Sequence, residues 1–212
     1  MQSKKIIPDQ YIGAQSATSY AIKTANSVEA DSLFEKAKQN LLDVNRWKKL
    51  AGPATAKFTI VNTNNEETKE PAAEGNYLRI SIPVVPKTET GEGFDWVKVE
   101  KIEEREAAGY RFIGMRVRPC KPPFEKHEVA HFFSADATST FCIERKRNKV
   151  KAAVYGRNEK PNTQRAFGFL TILRNLLIAL GAMIGFNKPQ WKSLVKGLLD
   201  DARQQERDLL RR

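Results

Sequence analysis

Apolar and polar residues repeat with two different periods along the chain, and these periods divide it into helical and extended regions. Between residues 28 and 44, apolar side chains recur every three to four positions, which predicts an amphipathic helix. Asn26 or Ser27 can cap this helix, and Gly52-Pro53 ends the helical region. From residue 56 the period falls to two, which predicts strands. The predicted strands are 56–62, 76–82, 94–103, 110–118, 128–134, 138–146 and 149–156, with a further short strand at 18–25.

The last two strands also specify how they pair. With a two-residue turn at 147–148, Phe141 lies opposite Val154 on a mostly apolar face. In the same register Glu144 lies opposite Lys151 on the other face, as an opposite-charge pair. A shift of one residue would exchange the two faces, so the sequence fixes this antiparallel register.

Helical periodicity returns near the C-terminus. It predicts one helix over 163–186 and a second over 188–208, with Pro189 in the first turn of the second. The element order predicts an α+β protein: a curved antiparallel sheet of about six to seven strands, with an N-terminal helix and long C-terminal helices packed across it. Residues 1–17 are polar and aperiodic and are expected to form a flexible arm, and residues 18–212 are expected to form a single domain.

The segment 167–186 is the most apolar part of the chain. Its twenty residues include 14 apolar side chains, and as a helix it would be about 30 Å long, the thickness of a bilayer core. Arg174 and Asn175 fall near its middle, where a charge is costly in lipid. The favoured interpretation is a buried or cavity-lining helix, and the alternatives are a membrane-embedded segment or an oligomer interface.

Composition and charge narrow the classes of function. The chain has 212 residues and a net charge of +11, and residues 151–212 alone hold 12 basic and 5 acidic residues. An anionic membrane surface is therefore a conceivable partner, whereas nucleic acid is not expected, because the charge does not form a stripe with aromatic residues. There is no signal-peptide pattern and there are two cysteines, so a cytoplasmic protein with free thiols is expected.

Candidate chemistry is sparse. The sequence contains no nucleophile-elbow, P-loop, zinc-protease or dinucleotide motif, so neither a catalytic residue nor a cofactor is predicted. His127 and His131 are the only histidines; on a strand they would lie about 13 Å apart, too far to share one metal ion. Trp96 and Glu100 share one face of a predicted strand and Val97 and Val99 the other, and periodicity alone does not decide which face is buried.

The element order is similar to the helix-grip fold of the START-like (SRPBCC) superfamily, which includes polyketide cyclases, lipid-transfer domains and plant hormone-binding proteins. The resemblance rests on residues 43–47 (DVNRW), after the first helix, and on residues 188–199 (KPQWKSLVKGLL), which look like that family's closing helix. It covers roughly residues 18–205 and identifies no subfamily. It implies a ligand pocket between the sheet and the last helix.

The sequence therefore favours a cytoplasmic, non-enzymatic protein that binds an apolar or amphipathic small molecule. The side chains expected to line the pocket are Trp96, His131, Thr171, Arg174 and Asn175, with Arg174 suited to a ligand carboxylate or phosphate. The alternative is a peripheral membrane or scaffold protein that docks through the 167–186 helix and the basic C-terminal tail. A cyclase- or hydratase-type enzyme using Glu100 or His131 is a third hypothesis. Oligomeric state is left open.

Overall fold

The computed structural model describes residues 5–53, 55–81, 95–123, 134–160 and 183–210, without the side chains of 183–188 and 209–210. Within these ranges the chain forms seven strands, three α-helices and a short 3-10 turn at Val44–Arg46. The helices are α1 (Ser27–Leu42), α2 (Trp47–Ala51) and α3 (Met183–Leu210). The strands are β1 (Ala14–Lys23), β2 (Lys57–Val61), β3 (Tyr77–Ser81), β4 (Asp95–Ala107), β5 (Tyr110–Pro119), β6 (Thr138–Lys146) and β7 (Lys149–Glu159).

All seven strands form one antiparallel sheet in the order β1-β7-β6-β5-β4-β3-β2. Strands β2 to β7 follow one another as neighbours, and β1 closes the order by pairing with β7. The predicted β6–β7 register is confirmed, with Phe141 opposite Val154 and Glu144 opposite Lys151. The predicted α+β sheet with helices packed across it is likewise confirmed.

Helices α1 and α3 cover one face of the sheet, which we call the inner face; the opposite one is the outer face. The buried core lies between the inner face and these helices, and its strand residues include Val99, Ile113, Ile143 and Ala152. The helical spacing of apolar residues predicts a buried stripe on α3. Five of its members are at most 1% exposed and the sixth, Trp191, is half-buried; the five are Leu194, Val195, Leu198, Leu199 and Ala202. Burial of these apolar side chains, rather than local propensity, holds α3 on the sheet.

The start of α1 follows from its sequence. Asn26 accepts a hydrogen bond from the Glu29 backbone N–H at 2.9 Å, while the Glu29 carboxylate accepts one from the Ala25 backbone N–H at 3.2 Å. This arrangement is a variant of the capping box, because the Glu29 carboxylate reaches the N–H of the residue before the cap rather than that of the cap itself. The helical region ends before Gly52, as predicted, but it is not one continuous helix: α1 stops at Leu42, and a 3-10 turn separates it from α2. Trp47 is buried beneath this break and donates its indole N–H to the Asn40 and Leu41 carbonyls.

Helix α3 corrects the predicted boundary at Pro189. The helix begins at Met183, so Pro189 lies inside it rather than in its first turn. A proline inside a helix removes one backbone hydrogen bond and crowds the carbonyl four residues earlier, at a cost of about 3 kcal/mol. The burial of α3 on the sheet offsets this local penalty. Of the predicted helix at 163–186, residues 163–182 lie outside the described ranges, as does the predicted strand at 128–134 except for Ser134. Among the described residues, no helix is long and apolar enough to cross a membrane.

The predicted arm makes specific contacts over its described part. Strand β1 begins at Ala14, within the range 1–17 expected for the arm. Ile6 is 3% exposed and packs on the outer face against Phe112 and Cys142. The buried Asn158 side chain accepts hydrogen bonds from the backbone N–H groups of residues 11 and 12. Residues 5–13 thus cover part of the outer face, and the flexibility of the arm stays a prediction.

Candidate functional site

Three connections leave the sheet at one end, here called the upper end: β3–β4, β5–β6 and β7–α3. Four strands begin at this end (β1, β2, β4 and β6) and three strands end there (β3, β5 and β7). The strand pairing shows this, because Ala14 lies opposite Glu159 and Ile80 lies opposite Asp95. The segments 82–94, 124–133 and 161–182 are therefore attached at this end. A backbone hydrogen bond from Ser134 to Lys160, 2.9 Å long, ties two of the attachment points together. At the opposite end β4–β5 and β6–β7 close with two-residue turns.

Towards the upper end the inner face is apolar. Five side chains, which we call the apolar inner surface, form this region: Phe58, Ile80, Val97, Val117 and Trp191. Phe58, Val97 and Val117 are 4–8% exposed, but Ile80 and Trp191 are only half-buried although both pack against the core. The interior therefore presents incompletely covered apolar surface beside the start of α3.

Aromatic rings fill the interior behind this surface. Trp191 contacts Phe58 with ring centres 6.2 Å apart and Phe141 with ring centres 5.3 Å apart. Trp47 packs on the same two phenylalanines at 5.2 and 4.6 Å. Such tilted and edge-on contacts are the preferred geometries of aromatic pairs. The apolar inner surface is therefore continuous with the aromatic part of the core that Trp47 and Phe141 form.

Beside the apolar inner surface, β1, β7 and β6 contribute a small polar region, here called the Glu159 site. Gly156 pairs with Ser16 on β1 and with Ser139 on β6, so these three residues form one row across the inner face. The Glu159 carboxylate lies over Gly156, and a Cβ atom added there would be 2.1 Å from Glu159 Oε1 and 2.4 Å from Ser16 Oγ. A side chain at 156 would therefore have to displace the carboxylate, which occupies that space.

The electrostatic environment of Glu159 is unusual for a strand carboxylate. Burial raises the pKa of Glu159, against the hydrogen bond from Ser16 and the positive charge of Arg157, which lower it. The Ser16 hydroxyl donates to Oε1 at 3.3 Å, and among the described residues the carboxylate has no ion-pair partner within salt-bridge distance. The Arg157 guanidinium instead donates to the backbone carbonyls of Ser16 and Gly156.

The structure decides which face of β4 is buried against the helices. Val97 and Val99 belong to the core cluster, so Trp96 and Glu100 belong to the outer face. Trp96 is 1% exposed there, and it therefore does not contribute to the apolar inner surface. The other residues predicted to line the pocket, His131, Thr171, Arg174 and Asn175, lie outside the described residues. Their segments nevertheless attach at the upper end.

Glu100 is held by two arginines on the outer face. Arg116 donates to its carboxylate at 2.8 Å and Arg118 at 2.5 Å. Both arginine side chains are only partly exposed, at 14% and 32%, and each is paired with this carboxylate. A carboxylate fixed by two cations on the face away from the helices is poorly placed to act as an acid inside an interior pocket.

The thiols show no sign of activation. Cys120 and Cys142 are both free, and burial raises the pKa of each to about 12. A reactive cysteine has a lowered pKa, so both thiols are unsuited to nucleophilic chemistry. Within the described ranges, no cluster of three or more histidine, cysteine or acidic side chains could hold a metal ion.

The Glu159 site was missed by the sequence analysis. The predicted last strand ended at 156, which placed Glu159 in a connecting segment; the observed strand continues to Glu159. Gly156 was the one available signal, because a glycine inside a strand marks close approach of another group. The approaching group could not be identified from sequence, because a left-handed residue, Asn158 with φ of 56°, redirects the strand between them.

Comparison with known proteins supports the fold but identifies no function. No protein-family model and no curated protein matches the sequence. A solved structure of a hypothetical protein from Helicobacter pylori aligns over 95% of both chains with a TM-score of 0.53 and 11% identity, which indicates a shared fold. An aromatase/cyclase from Streptomyces sp. R1128 aligns over 90% of this chain and 95% of its own at TM-score 0.42 and 12% identity. Norcoclaurine synthase from Thalictrum flavum aligns over 90% of this chain and 98% of its own at TM-score 0.37 and 15% identity.

Proposed function

We propose that this chain is a cytoplasmic binding protein for an apolar or amphipathic small molecule, held between the sheet and α3 at the upper end. The observation that carries the proposal is the apolar inner surface, where Ile80 and Trp191 face the core but keep solvent-accessible area. Covering such area with an apolar ligand is favourable by about 25 cal/mol per Å². Ligand sites commonly combine an apolar wall with a few polar groups.

The polar groups proposed for the site come from the segments attached at the upper end. His131 belongs to the connection before β6, and Thr171, Arg174 and Asn175 belong to the connection before α3. We propose these four as ligand contacts and omit Trp96 because its strand position is on the outer face. Catalysis is not part of the proposal, since Glu100 is paired with two arginines on that same outer face.

Mass spectrometry tests for a bound molecule directly. The protein is purified without detergent and its mass is measured under native and then denaturing conditions. A discrete additional mass present only in the native spectrum is expected and would give the ligand's mass. A bare native mass, together with no binding of decan-1-ol or decyl methyl ether by calorimetry, would contradict the proposal.

A pair of variants on β3 tests where the ligand lies. Ile80→Thr keeps a β-branched side chain but makes the inner face more polar, and Tyr77→Thr introduces the same residue on the outer face of the same strand. The first variant is expected to weaken decyl methyl ether binding by several-fold, and the second to leave it unchanged. Equal effects of the two substitutions would place the ligand elsewhere.

The competing hypothesis of a membrane-docked protein is separated by sedimentation with vesicles. We expect the protein to stay in the supernatant with vesicles of phosphatidylcholine and phosphatidylserine at physiological salt. Salt-sensitive co-sedimentation would instead favour docking through the basic C-terminal region, because electrostatic attraction to anionic lipid weakens as salt rises.

A further inference from the structure

The strongest unexplained feature of the inner face is the Glu159 site. Its carboxylate is half-buried, accepts one hydrogen bond from a neutral hydroxyl, and has no ion-pair partner among the described residues. By contrast, Glu100 and Glu103 on the outer face are each held by two basic side chains. A partly desolvated carboxylate with so little compensation costs stability, so a purely structural role does not explain its position.

The position of the carboxylate is also well defined. Gly156 leaves the space that it occupies, and Ser16 fixes one of its oxygens. The row of Ser16, Gly156 and Ser139 continues across β5 to Val117, which belongs to the apolar inner surface. Neighbouring strands are about 4.8 Å apart, so Gly156 and Val117 lie about 10 Å from each other. One amphipathic molecule could therefore contact both regions.

We propose that the Glu159 carboxylate is the polar recognition point for the ligand and binds a hydrogen-bond-donating group, a hydroxyl or an ammonium, while the rest of the molecule lies on the apolar inner surface. This inference rests on the proposed function and adds the chemical class of the ligand. A donor group would supply the second hydrogen bond that the carboxylate lacks among the described residues. A ligand with hydrogen-bond acceptors alone would leave the carboxylate without this second hydrogen bond, so binding of such a ligand is disfavoured.

The test compares three probes that share a decyl chain: decylammonium, decan-1-ol and decyl methyl ether, each titrated calorimetrically at concentrations where it remains monomeric. The wild-type protein is expected to bind one of the two donor probes about tenfold or more tightly than the ether, the size expected for a hydrogen bond to a charged group. Preference for decylammonium would identify a cationic ligand, and preference for decan-1-ol a neutral one.

Variants assign the preference to Glu159. Glu159→Gln is expected to remove most of the donor preference and to leave binding of the ether unchanged. Gly156→Ala is expected to do the same, because its methyl group would displace the carboxylate. Glu144→Gln serves as the matched control, since it removes a strand carboxylate on the outer face that pairs with Lys151. Thermal unfolding of each variant confirms that it is folded.

The outcomes separate this inference from the proposed function. If the wild-type protein binds all three probes equally, or if Glu159→Gln weakens all three alike, the role of Glu159 is refuted while interior ligand binding stands. If the wild-type protein binds none of the probes and carries no additional mass in the native spectrum, interior ligand binding fails and this inference fails with it.

Discussion

The contact between α3 and α2 allows a prediction in which helix propensity and tertiary packing change the free energy of unfolding in opposite directions. Gly197 lies inside α3, where replacement of glycine by alanine ordinarily stabilises a helix by about 1 kcal/mol. Here an added Cβ would be 2.1 Å from the Leu50 carbonyl oxygen and 2.6 Å from its carbonyl carbon. Ordinary contact begins near 3.4 Å, so α3 would have to move away from α2 by about 1 Å.

That displacement strains a buried connection between α1 and α3. The Asn40 side chain, 2% exposed, donates to the Leu198 carbonyl at 3.1 Å, one residue from the collision. Overpacking costs about 1–3 kcal/mol and a weakened buried hydrogen bond about 1 kcal/mol. After subtraction of the propensity gain, Gly197→Ala should destabilise the protein by about 2 kcal/mol. For a chain of this size the melting temperature should fall by about 4–8 °C.

Thermal and urea unfolding, followed by circular dichroism, measure this change. The matched control is Ser193→Ala, one turn earlier on the exposed side of α3, which should stabilise the protein by up to about 0.5 kcal/mol from propensity alone. An unchanged or raised melting temperature in Gly197→Ala would refute the packing argument and imply that α3 does not lie against the α2 backbone as described.

Two further outcomes follow from the outer face and the thiols. Gly114→Ala should increase amide hydrogen exchange in residues 5–13, because the new methyl group would come within 3.1 Å of Ile6, which anchors the arm; unchanged exchange would contradict that anchoring. Alkylation of Cys142 and Cys120 by iodoacetamide at pH 8 should be roughly a thousandfold slower than that of an ordinary thiol, because a pKa of about 12 leaves little thiolate. Unfolding in urea should restore normal reactivity, and rapid labelling of Cys142 in the native protein would show that this thiol is not buried as described.

Local patterns in the sequence were sufficient for much of the fold. The α1 cap, the β6–β7 register and the buried stripe of α3 each depend on residues within one or two elements. In these elements, side-chain periodicity selects the face and short-range hydrogen bonds select the start, so the sequence alone specifies them. The order of the described helices and strands followed from the same patterns.

Other features were decided only by the tertiary structure, because they depend on contacts between distant parts of the chain. Periodicity alone allowed either face of β4 to be the one buried against the helices. The packing of α1 and α3 buries the face that carries Val97 and Val99. The Glu159 site combines residues from positions 16, 139, 156 and 159. No spacing in the sequence reports that the pairing of β1 with β7 brings a serine to a carboxylate 143 residues away. Sheet order is set by the total burial of the core, and this long-range pairing places the half-buried Glu159 carboxylate beside the apolar inner surface.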